Sequence, residues 1–311
     1  MKHAVAAVLI CGLASMSAVG HCESPPLAAA SSPETLMLLG TAGGPGGKKD
    51  RSGIASLLTV NGSRYLIDAG AGVTRQIAAA GLRDTDIDAV FITHLHDDHT
   101  ASLPAWMTFA YTEQLNEAPK KTFTIYGPPH IDRYVAAADR LLDVNADIRS
   151  AEQHDATRPA AIFRANVMKA GIVFKDRNIT VTALANTHFH LAGSAAADNR
   201  SYSLRVQTPS RVIVFTGDTG PSEELAAFAR GADILVSEMV TRKLPPNAPA
   251  SAVLHIQQEH LSPVQVGKLA AAAGVKTLVL SHINLVTPQH VAAIAGAFKG
   301  PIVVGADLMT F

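Results

Sequence analysis

Three short apolar runs, residues 87–93, 211–216 and 276–280, each lead into a residue type that ligates metal ions. Runs this short, rich in Val, Ile, Leu and Phe, read as strands buried on both faces. Phe91-Ile92-Thr93 leads to His94, Phe215-Thr216-Gly217 to Asp218, and Leu280-Ser281 to His282. Open α/β sheets hold their ligands beyond the carboxyl ends of the strands. A fold that lays these three strands side by side therefore gathers His, Asp and His at one edge.

The rest of the chain narrows the architecture. Residues 54–60 and 63–69 are strand-like, and Asn61-Gly62 between them is a strong hairpin signal. Helical patterns run from Val73 to Gly81, from a Ser222 cap through residues 223–230 to Gly231, from Ser262-Pro263 to Gly274, and from Thr287-Pro288 towards Lys299. An antiparallel start followed by alternating strands and helices predicts a layered α/β sandwich rather than an all-parallel sheet. Residues 145–170 lack clear periodicity and are expected to loop over one face. Residues 105–170 are expected to shape a pocket, with Trp106, Phe109 and Tyr111 as candidate walls or as a core stripe.

The first strand end opens the run His94-Leu95-His96-Asp97-Asp98-His99. In an extended segment His94 and His96 point to one side and can grip one ion. Asp98 and His99 diverge from that pair as the chain turns into a helix and can hold a second ion, while Asp97 faces away. A lone strand-end histidine is more often a satisfied structural group, and Asp218 alone could cap a turn. Several imidazoles and carboxylates in one loop are different, because as structure alone they would leave costly polar groups near a core. Nitrogen and carboxylate donors without thiolate suit zinc, and manganese or iron also fit.

His94-x-His96-x-Asp98-His99 after a buried strand, with Thr216-Gly217-Asp218-Thr219 and Leu280-Ser281-His282, resembles the metallo-β-lactamase superfamily, in its ribonuclease Z, arylsulfatase and phosphodiesterase-like branch. The opening Leu38-Leu39-Gly40-Thr41-Ala42-Gly43-Gly44-Pro45, the hairpin end Tyr65-Leu66-Ile67-Asp68-Ala69-Gly70 and the close Pro301-Ile302-Val303-Val304-Gly305-Ala306-Asp307-Leu308 look like the same branch, so the resemblance covers residues 36–311. It implies an αββα sandwich of the metallo-β-lactamase fold with two zinc ions at one edge. By the same resemblance His94, His96 and a third histidine hold one ion, Asp98, His99 and His282 hold the other, and Asp218 bridges them. The third histidine should follow the strand at residues 180–184, which selects His188 and leaves His190 open. Asp68 is implied to orient the ligands. Asp98 is implied to orient the attacking water. His260, in Glu259-His260-Leu261-Ser262, is similar to the His-Ser/Thr motif that serves ribonuclease Z relatives as proton donor. Leu261 intervenes here, and His255 stays an alternative.

Two zinc ions sharing a water supply hydroxide at neutral pH, so the implied protein is a dinuclear zinc hydrolase of a small-molecule ester. An acid at the bridging position, where β-lactamases usually carry Cys or Ser, favours a phosphodiester, sulfate ester or lactone. A lactonase or β-lactamase-like amide or ester hydrolase is the alternative, and a non-catalytic metal-binding module is the alternative of another class. Diiron oxygen reductases with this fold use Glu in place of the second histidine of the cluster, and His96 argues against their chemistry.

The amino terminus bears on location and partners. Lys2 and His3, an apolar stretch and small residues up to Gly20 read as a secretory signal peptide, residues 1–20, followed by a flexible Pro/Ala/Ser-rich leader, residues 21–34, and a hydrolase domain, residues 35–311. This predicts a periplasmic or extracellular protein with no membrane association after cleavage. The signal holds one of the 26 Lys and Arg residues and none of the 26 acids, so the remainder has a formal net charge of −1. That balance offers no bulk attraction for nucleic acid. The 29 residues between His188 and Asp218 also leave no room for the arm with which bacterial ribonuclease Z grips transfer RNA. Oligomeric state is left open, a homodimer being one option.

Overall fold

The computed structural model describes residues 34–241 and 244–311. The signal peptide and all but the last residue of the leader lie outside the described residues. That last residue, Glu34, begins the first strand, where its carboxylate accepts hydrogen bonds from Thr208, Ser210 and Arg211.

Among the described residues the strands form two seven-stranded sheets. The first contains β1 (Glu34–Gly40), β2 (Ala55–Val60), β3 (Ser63–Ile67), β4 (Ala89–Phe91), β5 (Phe123–Gly127), β6 (Phe163–Val167) and β14 (Met309–Thr310), in the order β14-β1-β2-β3-β4-β5-β6. The second contains β7 (Gly171–Lys175), β8 (Thr180–Ala185), β9 (Tyr202–Gln207), β10 (Val212–Phe215), β11 (Ile234–Met239), β12 (Thr277–Ile283) and β13 (Ile302–Val304), in the order β13-β12-β11-β10-β9-β8-β7. The β2–β3 hairpin turns at Asn61 and Gly62, both at positive φ, as the Asn-Gly pair requires.

Helices cover both outer faces. α1 (Val73–Ala79), α2 (Asp97–Thr100), α3 (Leu103–Thr112), α4 (Ile131–Gln153) and α5 (Pro159–Ile162) belong to the first half. α6 (Ser194–Asp198), α7 (Glu223–Phe228), α8 (Ala250–Glu259), α9 (Pro263–Ala273) and α10 (Pro288–Ala297) belong to the second. The predicted caps are in place: Ser222 Oγ accepts from Leu225 N at the start of α7, and Gly274 closes α9 in the left-handed conformation. Three apolar layers follow. One packs α1, α3 and α4 on the first sheet, one lies between the sheets around Leu58, Phe91, Val181, Leu204 and Val279, and one packs α7, α9 and α10 on the second sheet. This is the αββα sandwich that the sequence motifs imply.

Two expectations are corrected. Residues 145–170 do not loop: α4 runs to Gln153, and α5 and β6 follow. The helical period of α4 is blurred because apolar residues occur on its outer face, at Leu141, Val144 and Ile148, as well as on the buried one. Trp106 and Tyr111 do not line the cavity described below, and for them the core-stripe alternative holds. They sit in the core, Trp106 edge-on to Phe123 and Phe163, while Phe109 is half exposed and lies apart from the site described below.

This layering positions the strand ends. β10, β11 and β12 run parallel, and β8, two antiparallel steps from β10, runs the same way. Their carboxyl ends share one edge. The first sheet meets it there, with Ala42 bridging to Ile283 and Tyr202 N donating to Thr93 O.

The core also holds a titratable group away from that edge. Asp84 is buried beside α3, and its Oδ1 has no hydrogen-bond partner. Burial first, and the negative charge of Glu113 second, push its carboxyl up from 3.8 to about 7. The folded chain therefore holds a proton that the unfolded chain has lost, so stability falls as pH rises from about 4 to about 7. Asp84→Asn should raise the melting temperature relative to the parent more at pH 8 than at pH 4.5. The gain should be on the order of 1 kcal/mol per unit of pKa shift. A parent–variant difference that does not change with pH in thermal melts would contradict this.

Candidate metal centre

Seven side chains that the sequence singles out come from both sheets. His94 and His96 follow β4, Asp98 and His99 lie in the first turn of α2, His188 follows β8, Asp218 follows β10, and His282 ends β12. Asp97 points to solvent, as expected.

The first group is a triad of imidazoles. His96 Nδ1 lies 3.1 Å from His94 Nε2 and 3.0 Å from His188 Nε2. Nitrogens bound to one tetrahedral zinc at about 2.0–2.1 Å stand roughly 3.3 Å apart, so these three face a common point at near-ligating distance. The far nitrogens of two of them are occupied: His188 Nδ1 donates to the Glu259 carbonyl at 3.0 Å, and His94 Nδ1 meets Thr93 Oγ1 at 3.1 Å. Such partners orient the lone pair of the other nitrogen. Burial, aided by neighbouring imidazoles, holds His94 well below its usual pKa and brings His188 down to about 3. Both are neutral, as ligands must be.

The second group is Asp98, His99, Asp218 and His282. His282 Nε2 lies 3.0 Å from Asp98 Oδ2, and its Nδ1 lies 3.2 Å from Asp218 Oδ1. His99 Nδ1 donates to Asp68 Oδ2 at 2.9 Å, while its Nε2 stands 3.3 Å from Asp218 Oδ1. Burial would raise the Asp218 carboxyl, but the charges of His282 and His99 outweigh it and hold it well below the usual range. Burial would likewise lower His99, yet Asp218 and Asp68 raise it well above its ordinary value. The site thus has the electrostatics of a pocket for positive charge.

The second group fits a metal ion on an independent count. His99 Nε2 and Asp218 Oδ1 are buried with no properly directed hydrogen bond, a costly state unless a cation satisfies them. Asp218 joins the groups: one of its oxygens lies within 4.8 Å of the ligand atoms of Asp98, His99 and His282, and one within 4.8 Å of those of His188 and His260. Left-handed backbone occurs here as it does at five other non-glycine positions among the described residues. Asp68 and His282 both adopt positive φ, 60° and 49°, which non-glycine residues tolerate only where the surroundings hold them. Gly44 is required for closeness, since a Cβ there would fall 1.9 Å from Asp98 Oδ2.

A cavity of about 250 Å³ opens above the metal groups. His96, Asp98, Asp218 and His282 reach it from below, Pro45, Met239, Val240 and Ile256 give apolar walls, and His255 and His260 face it from the side. His260 Nδ1 bonds Glu238 Oε2 at 2.9 Å. Burial would lower the His260 pKa, but the hydrogen bond and charge of Glu238, with Asp218 and Glu259 behind, push it up to about 9. His255 is paired instead with Glu259, 2.7 Å away. His190 is about half exposed, 3.7 Å from Glu259, and outside the imidazole triad. The geometry thus brings in His188 rather than His190.

Glu238 escaped the sequence reading. It is fully buried, receives Thr219 N at 2.8 Å and holds His260. Its signal was available, because Ile234-Leu235-Val236-Ser237-Glu238 is a fourth apolar run ending in an acid at the same edge.

Comparison with known proteins agrees with this geometry. A model described as beta-lactamase superfamily domain matches residues 63–283. The ribonuclease Z of Mycobacterium bovis (strain BCG / Pasteur 1173P2) is 30% identical over 278 residues, which cover 88% of this chain and 96% of that protein. Among solved structures, the metallo-beta-lactamase fold protein YhfI from Bacillus subtilis superposes with a TM-score of 0.66 at 18% identity, over 90% of this chain and 99% of that one. Human tRNase Z, short form, gives a TM-score of 0.61 at 20% identity, over 89% and 98%. The chain belongs to the metallo-β-lactamase superfamily, in the branch related to ribonuclease Z.

Alanine variants distinguish the two histidines after β8. His188→Ala should lose metal on dialysis and His190→Ala should keep it, as read by elemental analysis. Asp68→Asn should weaken retention by about 10–100-fold through loss of the His99 orientation. Equal retention in the His188 and His190 variants would overturn the placement of the third imidazole.

Proposed function

We propose that this chain is an exported dinuclear zinc hydrolase of small esters, a phosphodiester or sulfate ester foremost. The carrying observation is the Asp218 carboxylate set between two donor groups, beneath a cavity that His260 also faces. His94, His96 and His188 would hold one ion, Asp98, His99 and His282 the other, and Asp218 both. When bound, such ions supply a nucleophilic water at neutral pH and a positive clamp for the ester oxygens.

The chain's own groups supply the rest. Asp98 is held by His282 and reaches the cavity floor, where its free oxygen can orient the attacking water. His260 keeps Nδ1 on Glu238, so its Nε2 is the ring nitrogen left to deliver a proton to the departing oxygen. Glu238 fixes that ring and keeps it protonated through neutral pH. Pro45, Val240 and Ile256 exclude water from the substrate body.

A cavity of this size suits a compact ester. The β8–β9 connection, residues 186–201, holds the short α6, which supports a small substrate over a gripped RNA. The likeness to ribonuclease Z over nearly that protein's whole length favours a second reading, a nucleic-acid phosphodiester. Lactones and β-lactam-like amides follow as a third class.

Protein loaded with zinc should retain about two ions per chain and hydrolyse bis-aryl phosphodiesters or aryl sulfates faster than lactones or a β-lactam. Precursor transfer RNA belongs in the same panel, and cleavage at rates rivalling the best small ester would replace the first reading by the second. His260→Ala should lower kcat by about 10²–10⁴-fold with metal content unchanged, and Glu238→Gln should act in the same direction. Full turnover in His260→Ala would remove the proton-donor assignment.

A further inference from the structure

The apolar layer between the sheets changes character beneath the metal groups. On β2 the side chains that alternation turns towards this layer are Val60, Leu58 and Ser56, and on β12 they are Val279 and Ser281. Both strands thus exchange an aliphatic residue for a serine as they near the shared edge, and both serines are buried. They line a second cavity, of about 30 Å³, together with Asp68, Thr93, His99 and Asp218. No substrate fits so small a space. A purely apolar void of this kind would stay dry, but this one is polar on the side of the metal groups.

Among the described residues six buried side-chain atoms lack a hydrogen-bond partner, and three of them, His99 Nε2, Asp218 Oδ1 and Ser281 Oγ, belong to residues that line this cavity. A cation can answer the first two. It cannot answer the third, because zinc takes imidazole, thiolate and carboxylate rather than a neutral serine hydroxyl, and a buried hydroxyl without a partner is costly. We propose, on the metal-site reading above, that the cavity is a binding site for water and that Ser281 is a positioning residue. The Ser281 hydroxyl donates to the bound water, and the water donates to the Asp218 carboxylate. One water takes about 10–15 Å³ of such space and needs roughly two to four polar partners, so the cavity admits about two at most. Asp218 borders the substrate cavity as well as this one, so water here fixes the carboxylate without occupying room for substrate. Ser281 lies on β12 and Asp218 follows β10, with β11 between them, so the water ties two strand ends across a third.

A crystal structure at a resolution that orders water tests the site directly, with density for water expected within hydrogen-bond distance of both Ser281 Oγ and the Asp218 carboxylate. Ser281→Ala and Ser281→Val should each weaken zinc retention by about tenfold or more and shift the visible absorption of the cobalt-loaded protein, with the circular dichroism spectrum unchanged. Ser281→Thr, which has the shape of the valine variant and keeps the hydroxyl, should stay close to the parent in both measurements. A cavity that holds no water in the parent overturns the proposal. Parent-like retention and absorption in the alanine variant overturn the positioning role, and so does a threonine variant that behaves as the valine one. The crystal readout needs no zinc, so a chain that binds none would overturn the dinuclear reading while the water site is still decided.

Discussion

A buried imidazole held between two buried carboxylates ties the halves of this molecule together at their shared edge. His99 meets Asp68, which follows β3 of the first sheet, and Asp218, which follows β10 of the second. Desolvating three ionisable groups is unfavourable unless each is answered by another. Asp68 also receives the backbone and hydroxyl of Thr93, so the first sheet delivers His99 in one orientation. The second sheet presents a carboxylate whose other partners are His282 and, through proximity, His188 and His260. The distance between the sheets at this edge is thereby set by chemistry as well as by the apolar layer between them.

That arrangement explains why the same residues look overcharged in isolation. His99 is driven towards the imidazolium form while His94 and His188 are driven away from it. Positive charge is favoured between the carboxylates beside His99, and three imidazoles a few ångströms away offer lone pairs to a cation. Left-handed backbone at Asp68 and His282 and the close pass of Gly44 over Asp98 are local strains that such a site sustains.

The legible part of the fold was what repeats a physical rule. Buried strands show as unbroken apolar runs, Asn61-Gly62 shows as a turn that needs positive φ twice, and Ser222 and Gly274 show as helix ends. The cluster from His94 to His99 was legible because so many donors within one loop have few other uses. What failed did so where one segment obeys two rules at once. α4 is apolar on two faces, which erased its period, and Trp106 and Tyr111 look the same in sequence whether they line a cavity or fill a core. Glu238 was overlooked because a single acid after an apolar run carries little weight until its neighbour His260, distant in sequence, is seen beside it.

The division of labour around the cavity follows from where its parts come from. The donors sit on strand ends and on the first turn of a helix, positions fixed by two sheets and three apolar layers. The walls are so placed only in part: Met239 ends β11, but Pro45 lies in the loop between β1 and β2, and His255 and Ile256 lie on α8, none of whose residues is fully buried. α8 is nevertheless bound to the donors by its last residue, since Glu259 lends its carbonyl to His188 and its carboxylate to His255, and His260 follows directly. A change in the α8 segment can therefore reshape the cavity wall while this one backbone contact preserves the imidazole beneath. Chemistry held by the scaffold and recognition held by a loosely packed helix and a loop can vary separately. One fold can thus present the same donor set to different substrates.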